Sequence, residues 1–186
     1  MTDFAAAFDE ALDYADFLER FGTPPQRDRW ADVYQRIRLS KEQSDRLRAF
    51  VREMRVLCLA GVWCGDCAEQ CPIFRRFAET TACIRLRFVD RDASPALAEK
   101  LRICGGGRVP VVVFLSEDGY ECGRYGDRTW SKYRSLAWAA AGEACSTGLA
   151  ADEEVHEAVV EDWLREFERI QWMLRLSPRL RKRHGD

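Results

Sequence analysis

Along the first fifty positions, apolar residues recur every three or four places, the period of helices that bury one face. Phe4, Phe8, Leu12, Tyr14, Phe17 and Leu18 predict one helix from Asp3 to about Phe21, closed by Gly22. Thr23-Pro24-Pro25-Gln26 then combines a cap, a proline at the helix start and a capping-box Gln, ahead of Trp30, Val33, Tyr34 and Ile37. Ser40-Lys41-Glu42-Gln43 repeats the capping pattern before Leu47, Phe50, Val51 and Met54, so a third helix is expected to end near Met54.

The pattern then shortens to apolar runs of strand length. Val56–Ala60, Ile84–Val89, Val109–Leu115 and Tyr120–Tyr125 predict four strands, the last two joined by the turn Glu117-Asp118-Gly119. A helix over Cys64–Thr80 separates the first two strands, and a shorter one from Pro95 to about Ile103 separates the second from the third. A further helix is expected over Asp127–Ala144, then a linker over Ser146–Ala151. Val155, Val159, Trp163, Phe167, Ile170 and Leu174 make one apolar stripe on a last helix, expected to pack onto the domain. The chain thus divides into a helical extension over 1–40, an α/β domain over 41–145, and a C-terminal helix with basic tail over 146–186.

Composition narrows the possible partners. The 186 residues are 47% hydrophobic, enough for a real core, and 29 basic against 31 acidic side chains leave a net charge of −2. No single-sign field draws in nucleic acid or an anionic membrane, and the basic tail Arg179–Arg183 reads as a solvated end. No apolar run reaches membrane-spanning length, and Met1-Thr2-Asp3-Phe4 lacks the basic and apolar regions of a secretory leader, so the expected location is cytoplasmic.

Eight cysteines are many for such a compartment, where clustered thiols point to redox or metal chemistry more than to stapling. Trp63-Cys64-Gly65-Asp66-Cys67 follows a strand and opens a helix. Cysteines at i and i+3 across a first helical turn lie about 5 to 6 Å apart at Cβ, close enough to form a disulfide with small adjustment. The helix start favours a thiolate by about 0.3 to 1 kcal/mol, more when partly buried. Cys64 is therefore expected to be the attacking thiolate and Cys67 the resolving thiol. Asp66 favours the helix start but disfavours a neighbouring thiolate, and it is the candidate proton acceptor.

Beyond the dithiol, several landmarks resemble the thioredoxin family over about Phe50–Ala144. Pro72 stands where that family kinks its active-site helix, and Asp92-Ala93-Ser94-Pro95 resembles the loop before its third helix. Val109-Pro110, 46 residues after Cys64, resembles the family's cis-proline, and Gly119 and Gly126 match its turn and bulge glycines. The resemblance implies a central, mostly four-stranded mixed sheet flanked by helices, with Trp63, Gly65, Val109 and Pro110 forming the substrate-binding surface. Two departures stand out. Cys58 occupies the position of the family's buried Asp, and Phe88 that of its partner Lys, so the floor beneath the dithiol should be apolar and the buried thiol harder to ionise.

Cys58, Cys83, Cys104, Cys122 and Cys145 read individually as small buried hydrophobes. Cys64, Cys67 and Cys71 before Pro72 also share spacing with part of an iron-sulfur motif, for which Cys104 beside Gly105–Gly107 is the one attractive fourth ligand; no metal site is expected. His156 and His184 read as solvated or capping residues. The sequence therefore predicts a thiol-disulfide oxidoreductase that acts on protein disulfides without an organic cofactor, its electrons supplied by a small thiol or a reductase. The alternative is a non-catalytic interaction protein of the same fold with structural cysteines.

Overall fold

Two helices, α1 (Phe4–Glu10) and α2 (Tyr14–Phe21), occupy the stretch whose periodicity predicts one. The break has two local causes. Asp13 accepts a hydrogen bond from the Asp16 backbone N–H at 2.9 Å and so begins a new helix. Leu12 exchanges backbone hydrogen bonds with Phe88, at 3.0 and 2.7 Å, and extends the sheet by one antiparallel bridge. The computed structural model describes residues 4–141 and 152–186.

Helices α3 (Pro24–Arg36) and α4 (Lys41–Arg48) both start with the expected capping boxes. Gln26 accepts from the Thr23 N–H at 2.9 Å, and Gln43 from the Ser40 N–H at 3.0 Å. Helix α4 stops at Arg48, short of Met54, because the next amides have another partner: Gln171 accepts from the Val51 and Arg52 N–H groups at 3.2 and 2.8 Å.

Then come β1 (Met54–Ala60), α5 (Gly65–Thr80), β2 (Ile84–Asp90), α6 (Pro95–Lys100), β3 (Val111–Ser116), β4 (Glu121–Gly126), α7 (Trp130–Ala141), α8 (Asp152–Leu176) and α9 (Pro178–His184). The strands form one mixed sheet in the order β2-β1-β3-β4, with β1 and β2 parallel and the other neighbours antiparallel. The expected linker over Ser146–Ala151 and the end of the helix expected to reach Ala144 lie outside the described residues, as does Cys145.

Alternation along β1 sends Val56, Cys58 and Ala60 to one face and Leu57 and Leu59 to the other. Cys58 stands in register with Phe88 on β2 and Val112 on β3, so these three share the first face. Two aromatic groups cover it. Phe17 stacks on Phe88 at 5.3 Å and Tyr14 meets Phe88 edge-on at 5.6 Å, while Phe167 of α8 contacts Phe114 at 5.1 Å and Phe77 of α5 at 5.3 Å. Trp163, Phe167 and Ile170 are fully buried, so the last helix closes the core over α5 as its stripe implies.

The tail differs from its reading as a solvated end. It folds as α9 and docks on the β3–β4 turn, where Arg179 pairs with Asp118, Arg183 reaches Glu117 at 3.1 Å, and His184 lies 2.9 Å from Glu117. His156 is partly buried, and its Nε2 has no hydrogen-bond partner among the described residues.

Candidate active site

Helix α5 begins one residue after Cys64, which occupies its N-cap position in an extended conformation and stays partly exposed. Cys67, one turn further in, is fully buried. The approach to the helix is held from both ends. Trp30 Nε1 donates to the Val62 carbonyl at 3.0 Å, and Gly61 lets the Trp63 ring fold back, since a Cβ there would lie 2.7 Å from the indole. Trp63 is 47% exposed with the Arg91 guanidinium 4.4 Å from its ring centre, so it forms an accessible rim beside the dithiol. Gly65 faces Arg29, whose Nη2 would lie 3.4 Å from a Cβ added there.

Val109 and Pro110, remote in sequence, come to the same place. The Cys64 thiol points to the Val109 carbonyl oxygen at 3.6 Å, and the Val109–Pro110 bond is cis, as the resemblance implies. Gly126 makes this approach possible. Its φ of +147° is a conformation side chains rarely adopt, and a Cβ would stand 2.3 Å from the Pro110 carbonyl oxygen.

The two thiols shift each other. Cys64 is pushed up, first by its S–H interaction with the Cys67 sulfur and then by burial. Burial also pushes Cys67 up, but interactions with Cys64, Cys71 and the Gly61 backbone outweigh it and pull Cys67 down to about 5. Cys64 and Cys67 therefore act as one interacting pair that shares a proton.

Asp66, the candidate proton acceptor, is charge-paired. Arg128 brings Nη2 to 2.7 Å and Nε to 3.0 Å of Asp66 Oδ2, which offsets its repulsion of a neighbouring thiolate. Next to Arg128, the buried Asp127 accepts from the Tyr133 hydroxyl and faces Arg108 at 3.4 Å. Burial pushes Asp127 up, but these partners hold it below the ordinary carboxylate range.

Sequence reasoning passed over Gln70, which ties this corner together. Its Nε2 donates to the Asp127 and Asp66 carbonyls at 3.0 and 3.2 Å, and its Oε1 accepts from Trp163 Nε1 at 2.8 Å. The available signal was a Gln on the otherwise apolar face of the helix, among Cys67, Cys71 and Phe74.

The floor is apolar, as the two departures imply. Cys58 is fully buried beside Phe88, and its sulfur lies 3.8 Å from that of Cys71, also fully buried on α5. Burial pushes both of these thiols up. Cys104 is exposed in the loop before β3, not the buried hydrophobe expected of it. Cys83 and Cys122 are partly buried, and their sulfurs approach the Phe50 and Tyr120 carbonyls at 3.1 and 3.5 Å. Among the described residues, no cluster of Cys, His, Asp or Glu is arranged to hold a metal ion, and no helix is long and apolar enough to cross a membrane.

Comparison with known proteins agrees with this architecture. A family model described as thioredoxin matches residues 11–134. The structure is similar to that of a protein of unknown function from Pseudomonas aeruginosa, with TM-score 0.69 and 21% identity over 91% of this chain and 97% of that one. An HIV epitope scaffold aligns with TM-score 0.69 and 19% identity over the same shares of the two chains. Mitochondrial thioredoxin 3 from Saccharomyces cerevisiae, in its oxidised form, is 23% identical over 50% of this chain and 86% of its own, with TM-score 0.34. No curated protein sequence matches the chain.

Proposed function

The chain belongs to the thioredoxin family, and from that premise we propose that it is a thiol-disulfide oxidoreductase in which Cys64 attacks protein disulfides and Cys67 resolves the mixed disulfide. One observation carries the reading: a partly exposed thiol at a helix start lies 3.6 Å from the Val109 carbonyl oxygen and interacts with a fully buried second thiol. Of the two, Cys64 is the one that can meet a macromolecular disulfide, because the Cys67 sulfur is fully buried.

In the reduced pair Cys64 and Cys67 share one proton. With that proton on Cys67, Cys64 is the nucleophile and Cys67 the thiol. Cys64 then bonds to one substrate sulfur and the other leaves as thiolate. When Cys67 loses its proton again it attacks Cys64, which releases the substrate thiol and closes the Cys64–Cys67 disulfide. A small thiol or a reductase restores the dithiol, so two electrons pass per cycle. Trp63 and the Val109-Pro110 segment form the surface against which the substrate chain lies, and a cytoplasmic location fits this use.

The test is reduction of insulin disulfides driven by dithiothreitol. Wild-type protein should accelerate precipitation of the insulin chains over the reductant alone, and Cys64→Ser should abolish the acceleration. No acceleration by the wild type would instead favour an interaction protein with structural cysteines.

A further inference from the structure

Of the cysteines that the proposed cycle leaves unused, Cys58 and Cys71 are fully buried and lie together beneath the dithiol. Cys67 interacts with Cys64 on its outer side and with Cys71, one helical turn further along α5, on its inner side. Cys71 in turn lies 3.8 Å from Cys58 on β1, sulfur to sulfur. The four thiols make a continuous file from the partly exposed Cys64 to the centre of the sheet, and the inner three are fully buried.

A lone buried cysteine is a small hydrophobe, but two buried thiols 3.8 Å apart, one of them a helical turn from Cys67, offer a path for disulfide exchange. We propose that Cys58 and Cys71 form a second, internal dithiol that takes the disulfide from Cys64–Cys67, so that the reduced chain delivers four electrons rather than two. The proposal deepens the oxidoreductase reading and rests on it.

The steps balance without a further reactant. After a substrate has oxidised the outer pair, the Cys71 thiolate attacks the Cys67 sulfur; the Cys67–Cys71 bond forms and Cys64 leaves as thiolate, taking up the proton from Cys71. Cys58, as thiolate, then attacks Cys71, which forms the Cys58–Cys71 disulfide and releases Cys67, to which the proton from Cys58 passes. The outer dithiol is again reduced and meets a second substrate disulfide. Closing the inner pair requires the sulfurs to move from 3.8 Å to a bond of about 2.05 Å, which side-chain rotation on β1 and α5 supplies in part.

The surroundings suit this exchange. Tyr14, buried against Phe88, also lies close enough to Cys71 to interact with it electrostatically. Pro72 has no N–H, so the turn that must adjust around Cys71 has one hydrogen bond fewer to break.

The sequence provides a direct readout. No Lys or Arg lies between Val56 and Phe74, so trypsin leaves Cys58, Cys64, Cys67 and Cys71 on one peptide ending at Arg75. The full chain, reduced with dithiothreitol and desalted, is mixed with excess insulin, quenched in acid, then denatured and alkylated with iodoacetamide. The expected product is that peptide with none of its four thiols alkylated, its fragments placing one bond between Cys58 and Cys71. In Cys64→Ser, which removes the entry point, the inner pair should stay reduced and alkylated.

A wild-type peptide that stops at two alkylated thiols, with Cys64 and Cys67 joined, overturns the internal dithiol and leaves the oxidoreductase reading intact. A peptide with four alkylated thiols overturns that reading as well. Oxidation of Cys58 and Cys71 in Cys64→Ser at the wild-type rate overturns the transfer through the outer pair.

Discussion

Arg128 places its Nη2 2.7 Å from Asp66 Oδ2, so the acidic residue between Cys64 and Cys67 is charge-paired by a residue sixty-two positions later in the chain. The guanidinium belongs to the corner before α7, and the pair fastens that corner to the start of α5. Arg128→Gln would leave the Asp66 charge beside the dithiol without its counterion. Alkylation of Cys64 at neutral pH is expected to slow several-fold, with its pH midpoint moving upward, and Arg128→Lys should recover part of the loss. An unchanged profile in Arg128→Gln would mean that solvent already screens Asp66.

The reduced dithiol should titrate in two well-separated steps. The first thiolate, centred on Cys67, is expected with a midpoint near 5 by its ultraviolet absorbance, and the second only above the ordinary thiol range. The folded value of Cys67 lies below that of an unfolded thiol, so its ionisation contributes stability that is complete above the unfolded value and is lost as the pH falls through about 5. Urea midpoints of the reduced wild type, compared with Cys67→Ala across that interval, should therefore converge on acidification. Parallel curves would remove the thiolate from Cys67.

Gly126→Ala tests how the Pro110 segment is held. A methyl group there meets the Pro110 carbonyl oxygen at 2.3 Å on a backbone with φ of +147°. Urea unfolding should show a loss of about 2 to 4 kcal/mol, with insulin reduction falling more than the folded fraction does. A neutral substitution would mean that the β4 end is not packed against Pro110.

Much of the sheet and dithiol was legible because their signals are local: short β-branched runs, a turn with Gly119, and two cysteines opening a helix. The places where the reading failed depend on distant partners. Nothing near Leu12 announces that it will pair with Phe88, so one helical period ran across two helices. The Arg179–Arg183 tail looks solvated until Glu117 and Asp118, sixty residues earlier, are placed opposite it. Helix-start electrostatics act on Cys64, but Cys67 also interacts with Cys71 and Gly61, whose positions only the fold supplies.

Phe167 marks how far the C-terminal helix belongs to the core, since it meets Phe74, Phe77 and Phe114 and is fully buried. Phe167→Ala is expected to cost about 3 to 5 kcal/mol, the usual range for an aromatic removed from a core. A loss below about 1 kcal/mol, read by urea unfolding, would mean that α8 is only loosely attached.

The most direct test of the central claim, that Cys64 attacks and Cys67 resolves, is trapping of the mixed disulfide by intact mass. Reduced Cys67→Ser, mixed with insulin and quenched in acid, should retain an insulin chain covalently bound at Cys64, whereas the wild type should release it and Cys64→Ser should never acquire it. Absence of the adduct in Cys67→Ser, or its equal presence in Cys64→Ser, would contradict the account.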